Sequence, residues 1–304
     1  MIIYKNRQND PKNLRRYVNS CEKKFDAKLE DAVDRVLSKK GIRIIALSGP
    51  SCSGKTTMSK KLISRFKALG KPVIVISLDN FFRPRRVLAT IKDNHGNPCP
   101  DFDSVNAIDL DAMGKAFDNL FNGREATIPD YDFIAGESVG SSTVTAREGD
   151  TIIVEGIQAV YPEVVSMIPS SECRSIYLSV ERKIRIAGEV FDGREIRFLR
   201  RLVRDFKFRA AEPDYSYSLW KGVCDNEDVN ILPYYKSSDI IVDTLMPYEP
   251  GVIKDDLDEI LDRVDRNGPN REHADYLREV FSGIEPVPDE MLPEGSIYRE
   301  FIGP

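Results

Sequence analysis

The stretch Ile42-Arg43-Ile44-Ile45-Ala46-Leu47-Ser48-Gly49-Pro50-Ser51-Cys52-Ser53-Gly54-Lys55-Thr56-Thr57 decides the fold. Its apolar run, Ile42 to Leu47, does not alternate with polar residues, which suits a strand buried on both faces of a parallel sheet. Gly49 to Thr56 then match G-x-x-x-x-G-K-[ST], directly after that strand and opening a helix near Thr56, the context a phosphate-binding loop requires. The glycines let backbone N–H groups wrap a β-phosphate, Lys55 reaches the β- and γ-oxygens, and the Thr56 hydroxyl can ligate Mg²⁺. Thr57 either touches the α-phosphate or serves only as a helix residue. Gly49, Pro50, Ser51, Cys52, Ser53, Gly54, Lys55, Thr56 and Thr57 are therefore the candidate nucleotide site.

Four further runs share this apolar character: Val73 to Leu78, Thr151 to Val154, Ser175 to Val180 and Asp239 to Val242. Helical patterns lie between them at Thr56 to Leu69, Asp109 to Phe121 and Ile184 to Arg209. This alternation predicts βαβ units around a central, mostly parallel five-stranded sheet. Arg83 to Ser104 and Pro129 to Gly149 are rich in Asp, Asn, Gly and Pro and read as long loops where a substrate could bind. One or two amphipathic helices over Asn13 to Ser38, and charged helices over Val252 to Val264 and Glu272 to Phe281, are additions at either end. The expected division is 1–40, 41–250 with a helical lid near 193–215, and 251–304.

A length of 304 residues leaves room for about two domains. With 41% hydrophobic and 31% charged residues the chain is an ordinary globular one, not a disordered or fibrous one. Forty-four basic against 49 acidic residues give a net charge of -5, so no global basic field attracts nucleic acid or a membrane surface. Five scattered cysteines show neither metal-ligand spacing nor a disulfide framework. With no signal peptide or apolar membrane span evident, the expectation is a cytoplasmic protein with reduced thiols.

Two carboxylates and one helix supply the chemistry that a phosphate loop lacks. Asp79 follows the run Val73 to Leu78, at the C-terminal end of a parallel strand where ligands bind, and could take the proton of an acceptor hydroxyl or merely cap the next turn. Glu155 ends the run Thr151 to Val154, a position suited to holding Mg²⁺ through its water shell. The segment around Arg197, Arg200, Arg201, Arg204, Lys207 and Arg209 puts most of its charges on one helical face and Phe198, Leu199, Leu202, Val203 and Phe206 on another. Such a cluster can stabilise a transferring phosphoryl group or form a solvated face.

Taken together, these motifs resemble the phosphoribulokinase and uridine kinase family of P-loop kinases. The resemblance runs from Ile42 to about Lys254 and rests on the phosphate loop, Ser77-Leu78-Asp79-Asn80-Phe81-Phe82, Asp101-Phe102-Asp103-Ser104, Ile128-Pro129-Asp130-Tyr131-Asp132-Phe133, Val154-Glu155-Gly156-Ile157 and Arg200-Arg201-Leu202-Val203-Arg204-Asp205. Ser296 to Gly303 is similar to the end of a bacterial branch labelled nucleoside kinases. The resemblance implies a three-layer α/β/α fold and transfer from Mg·ATP to the 5'-hydroxyl of a nucleoside. It implies Asp79 as general base, Lys55 and Arg204 as catalytic residues, Phe82 on the substrate side, Asp103 on the ribose hydroxyls and Tyr131 against the base. Arg201 would face the acceptor, and Arg204 and Arg209 would close over the triphosphate. A homo-oligomer is also implied.

The sequence departs from that pattern at two places. The histidine that reads the pyrimidine edge in uridine-cytidine kinases is replaced by Gly136, and a second lid arginine would fall near Ala211. His95 and His273 are the chain's two histidines, and neither substitutes locally. A sugar or sugar-phosphate kinase, with Arg83, Arg85 and Arg86 holding an acceptor phosphate, is the alternative. A nucleotide-dependent regulatory or RNA-associated P-loop protein is a third reading, and simple ATP hydrolysis a fourth.

Overall fold

The computed structural model describes residues 1–6, 11–93 and 96–303, so His95 lies outside the described residues. Its centre is a five-stranded, entirely parallel sheet of β1 (Ile44–Ser48), β2 (Val73–Ser77), β3 (Thr151–Glu155), β4 (Cys173–Ser179) and β5 (Ile240–Asp243). The spatial order is β5-β4-β1-β3-β2. The five apolar runs of the sequence give these strands, with ends displaced by at most two residues.

The failure of those runs to alternate has a direct cause. Ile45 and Leu47 of β1 join Ile153, Ile176 and Leu178 in one core. Ile44 and Ala46 point the other way, with Ile152, Val154 and Tyr177. Both faces are covered at the inner strands, which are therefore apolar on both sides, while Val75 of β2 and Ile241 of β5 stay exposed at the sheet edges.

Seven main helices flank the sheet: α1 (Pro11–Leu37), α2 (Lys55–Ala68), α3 (Leu110–Phe121), α4 (Gly193–Arg209), α5 (Pro213–Asn230), α6 (Lys254–Arg263) and α7 (Arg271–Phe281). Helix α1 is a single element whose stripe of Leu14, Val18, Cys21, Phe25, Leu29, Val33 and Val36 is buried in the same core as α2 and α4. Leu257 of α6, Leu277 and Phe281 of α7, and Ile297, Tyr298 and Phe301 of the C-terminal segment enter that core too. Phe117, Leu120 and Phe121 of α3 cover the opposite face.

Three expectations are corrected. The helix read over Ile184 to Arg209 begins only at Gly193, where Asp192 and Glu195 form a capping box. Before it, Ile184–Ile186 and Glu189–Phe191 pair antiparallel around Ala187 and Gly188, both in the left-handed region, and Ile2–Ile3 adds a parallel strand. Pro129 to Gly149 is not a loop but mostly a hairpin of Ala126–Asp132 with Glu137–Val144. Its second strand is polar and largely exposed, which hides it from an apolar pattern. Arg83 to Ser104 also carries a small hairpin, Thr90–Lys92 with Pro98–Pro100. Helix α5, polar and acidic, is an element the hydrophobic pattern did not signal.

An ion pair lies inside this frame. Arg200 of α4 has no exposed surface and meets Glu249, itself fully buried, through Nε to Oε1 at 2.5 Å and Nη2 to Oε2 at 2.9 Å. Its remaining donors reach the Cys52 and Thr244 carbonyls at 3.3 and 3.1 Å. Removing one member strands a charge, whereas replacing both with apolar residues of similar volume does not. Arg200→Ala should lower the free energy of urea unfolding by about 3–5 kcal/mol, and Arg200→Met combined with Glu249→Leu by much less. Equal losses would show that volume, not charge, holds this site.

Candidate active site

The C-terminal ends of β1, β2 and β3, with α4 and α5 opposite, enclose a cleft of about 460 Å³. Ser51, Cys52, Lys55 and Thr56 line its floor. The loop bends through Cys52 at φ 59° and Gly54 at φ 95°. A Cβ on Gly49 would lie 2.5 Å from Ser53 Oγ and 2.6 Å from the Leu178 carbonyl oxygen, so close approach of the loop to β4 requires glycine there. Lys55 Nζ folds over the loop and donates to the carbonyls of Gly49 at 2.8 Å and Pro50 at 3.1 Å. Ser53 Oγ is buried without a hydrogen-bond partner.

Thr57 stands in the first turn of α2, where backbone N–H groups have no partner within the helix. Its N–H and hydroxyl donate to Glu300 Oε2 at 3.1 and 3.2 Å. Glu300 comes from the short helix Arg299–Ile302 near the chain's end.

Asp79 sits in the single turn Leu78–Phe81 that follows β2, and Glu155 is the last residue of β3; both line the cleft. Burial pushes the Asp79 carboxyl above its usual range, with Lys55 and then Arg209 pulling it back. Glu155 is likewise raised by burial, opposed by Lys55 and reinforced by Asp79. Both carboxyls thus hold a proton more readily than in water.

The arginines divide into two groups. Arg197 and Arg200 are buried and brace the loop from behind. Arg197 pairs bidentately with Glu227 at 2.6 and 2.7 Å and donates to the Ser51 carbonyl at 3.1 Å. Arg201, Arg204 and Arg209 all line the cleft and converge on one carboxylate, Asp205, at 3.2, 2.7 and 3.5 Å. Asp205 can neutralise only one of these three arginines, and the remaining charge faces a cleft that Asp79, Asp103 and Glu155 also line. The basic face read from the sequence is therefore half scaffold and half site.

The acceptor side is aromatic. Phe82, Phe102 and Phe133 line the cleft. Tyr131 stands edge-on behind them, 5.6 Å from Phe82 and 5.2 Å from Phe133 between ring centres, and its buried hydroxyl has no partner. Asp103 also lines the cleft; burial raises its carboxyl to about 6, against the pull of Arg201. Gly136 is at φ 75°, and a Cβ there would lie 3.0 Å from the Arg85 guanidinium, so Arg85 backs the position where the resemblance expects a histidine. Ala211 lines the cleft without offering a charge.

Several lining residues were not singled out in the sequence. Asp205 and Phe102 lie inside recognised motifs, and Phe133 closes one. Tyr215 and Val223 come from α5, which no pattern indicated, and Glu300 arrives from a segment that only the fold brings to the loop.

Fold and site define a P-loop protein of the α/β/α class with a second, aromatic-walled compartment beside the phosphate loop. The model of the phosphoribulokinase / uridine kinase family matches residues 44–248, and the chain belongs to that family. A uridine kinase of Saccharomyces cerevisiae is 28% identical over 207 residues, covering 66% of this chain and 37% of that protein. A uridine kinase of Staphylococcus aureus is 28% identical over 204 residues, 67% of this chain and 88% of that one. The solved structure of a possible uridine kinase from Bacillus stearothermophilus aligns with a TM-score of 0.48 at 18% identity, over 71% of this chain and 98% of its own. The chain matches only about a third of the length of its yeast relatives.

The Asp103 carboxyl yields a prediction whose sign follows from its raised value. An unfolded Asp ionises near 3.9 and this one near 6, so folding becomes less favourable as pH rises from about 4 to 6, and the loss persists above. Asp103→Asn should stabilise the protein at pH 7 by about 1–3 kcal/mol and flatten the dependence between pH 4 and 6. Parallel urea titrations at pH 4, 6 and 7.5 check it; an unchanged slope would place the carboxylate outside this linkage.

Proposed function

We propose that the protein is a kinase that transfers the γ-phosphoryl group of ATP to the 5'-hydroxyl of a nucleoside. The observation that carries this reading is the joining of two compartments in one cleft, a phosphate loop with Lys55 and Thr56, and an aromatic wall with Asp103, with Asp79 lining both. Phosphoryl transfer needs little covalent chemistry from the protein, only in-line positioning and stabilised charge. Gly49 to Thr57 hold the donor phosphates, and Arg204 and Arg209 meet the charge that develops on the transferring group. Asp79 accepts the hydroxyl proton, Asp103 orients the ribose hydroxyls, Phe82 and Tyr131 support the base, and Arg201 lies on the acceptor side.

Thr56 and Glu155 fit Mg²⁺ by donor chemistry, both being hard oxygen ligands on the phosphate side of the cleft. A metal shared with nucleotide phosphates takes only one or two protein ligands, and among the described residues no cluster of three or more carboxylate, His or Cys groups forms a dedicated cage. Bound there, Mg²⁺ would supply charge neutralisation at the phosphate oxygens.

None of the three arginines that would serve a sugar-phosphate acceptor lines the cleft. Arg83 Nε donates to the Ile108 carbonyl at 3.2 Å, Arg85 donates to the Phe133 carbonyl, and Arg86 pairs with Glu137. This favours a neutral acceptor over a phosphorylated one. An RNA-associated role is disfavoured by the burial of Arg197 and Arg200 in ion pairs, which removes them from any binding surface.

Asp79→Asn should keep binding Mg·ATP, measured by calorimetry, while acceptor-dependent ADP release falls by about 10²-fold or more. Turnover equal to wild type would remove Asp79 from the proton transfer. A screen of nucleosides and sugars with Mg·ATP, scored by product mass, should give phosphorylated nucleoside; product only with a sugar or sugar phosphate would replace this reading with the alternative.

A further inference from the structure

The C-terminal segment does more than close the core. Ser296, Ile297, Tyr298 and Phe301 are fully buried, and the Tyr298 hydroxyl donates to Glu249 beside Arg200. Ile297 occupies the space beside Gly54 so closely that any Cβ at Gly54 would overlap its side chain. The segment is therefore seated against the core and the phosphate loop by three apolar or aromatic anchors, Ile297, Tyr298 and Phe301. From this seat the half-buried Glu300 extends into the cleft and places Oε2 on both the N–H and the hydroxyl of Thr57.

Those two donors are the ones a nucleotide α-phosphate would use at the second residue after the loop lysine. A helix N-terminus offers them to any anion. Here the anion is the protein's own carboxylate, held at high effective concentration by the seated segment. Its charge also reaches into the site, where it adds to the forces raising Glu155.

We propose that Glu300 occupies the α-phosphate position of the donor site and must swing aside when a nucleotide binds, so that this residue sets donor affinity and selects against weakly held donors. The inference rests on the phosphate loop binding nucleotide. Because the anchors are buried, displacement is a rotation of one side chain and not release of the segment. A ligand that needs the Thr57 donors meets a competitor, and its apparent affinity falls by the fraction of molecules in which the donors are free. A ligand confined to the β- and γ-positions meets none.

Calorimetric titration of the full chain with Mg·ADP and with magnesium pyrophosphate tests this. Glu300→Ala should bind Mg·ADP about tenfold more tightly than wild type, within the usual span of intramolecular coupling. Glu300→Asp keeps the charge but is one methylene shorter and loses Thr57, so it should also tighten Mg·ADP while leaving pyrophosphate unchanged. Tightening in Glu300→Ala alone, for ADP and pyrophosphate equally, would reduce the effect to a general field and overturn displacement. Weaker ADP binding in Glu300→Ala would make Glu300 a ligand of the nucleotide and also overturn it. Binding by Glu300→Ala where wild type shows none is the extreme form of the proposal. Absence of ADP binding in all three proteins, each with a native near-ultraviolet spectrum, would instead remove the phosphate-loop reading and this inference with it.

Discussion

A guanidinium with no access to water is tolerable only if every direction around it is filled by a counter-charge or an acceptor. Arg200 meets that condition with Glu249, the Thr244 and Cys52 carbonyls and the neighbouring Tyr298 hydroxyl. Those partners come from four separate parts of the chain: the phosphate loop, the turn after β5, the helical turn at Glu249 and the C-terminal segment. The desolvation cost of the charge is offset only when all are in place, so one residue couples the geometry of the loop to elements on either side of it. The other arginines of α4 acquire their placement from this anchoring, Arg197 behind the loop and Arg201, Arg204 and Arg209 in front.

What was legible in the sequence follows from how strongly each residue was constrained. The central strands are buried on both faces and even the edge strands keep an apolar composition, so composition alone betrays all five, and the phosphate loop has a spacing that few other structures require. Asp79 and Glu155 could be found because one follows and the other ends such a strand. The hairpin over 126–144 was hidden because its outer strand faces solvent and needs no apolar residues. Helix α5 was hidden because its sequence is mainly polar and acidic; ahead of α4, Ile184 and Ile186 alternate as in a strand, a signal too short to stand apart from the long helical pattern that follows.

The site divides in the same way. Lys55, Thr56, Asp79, Asp103, Glu155, Arg201, Arg204 and Arg209 line a single cleft. Nothing in sequence separates Arg200 from Arg201, yet one is scaffold and the other faces the ligand. That distinction depends on the angle around α4 relative to Glu249, nearly fifty positions away. Glu300 is a sharper case, since its significance arises entirely from where the final turn of helix lands. Gly136 was noticed as a missing side chain, but only the packing of Arg85 against it reveals what fills the space.

The partner Tyr298 lies 98 positions beyond Arg200 in the chain. During synthesis, therefore, α4 and the phosphate loop emerge long before the last wall of the Arg200 socket exists. Contacts of such sequence separation form late, and until this one forms the buried charge is incompletely surrounded and the socket open to water. The Arg200 socket, and with it the bracing of the phosphate loop from behind, is therefore complete only once residues that take no part in the sheet have emerged.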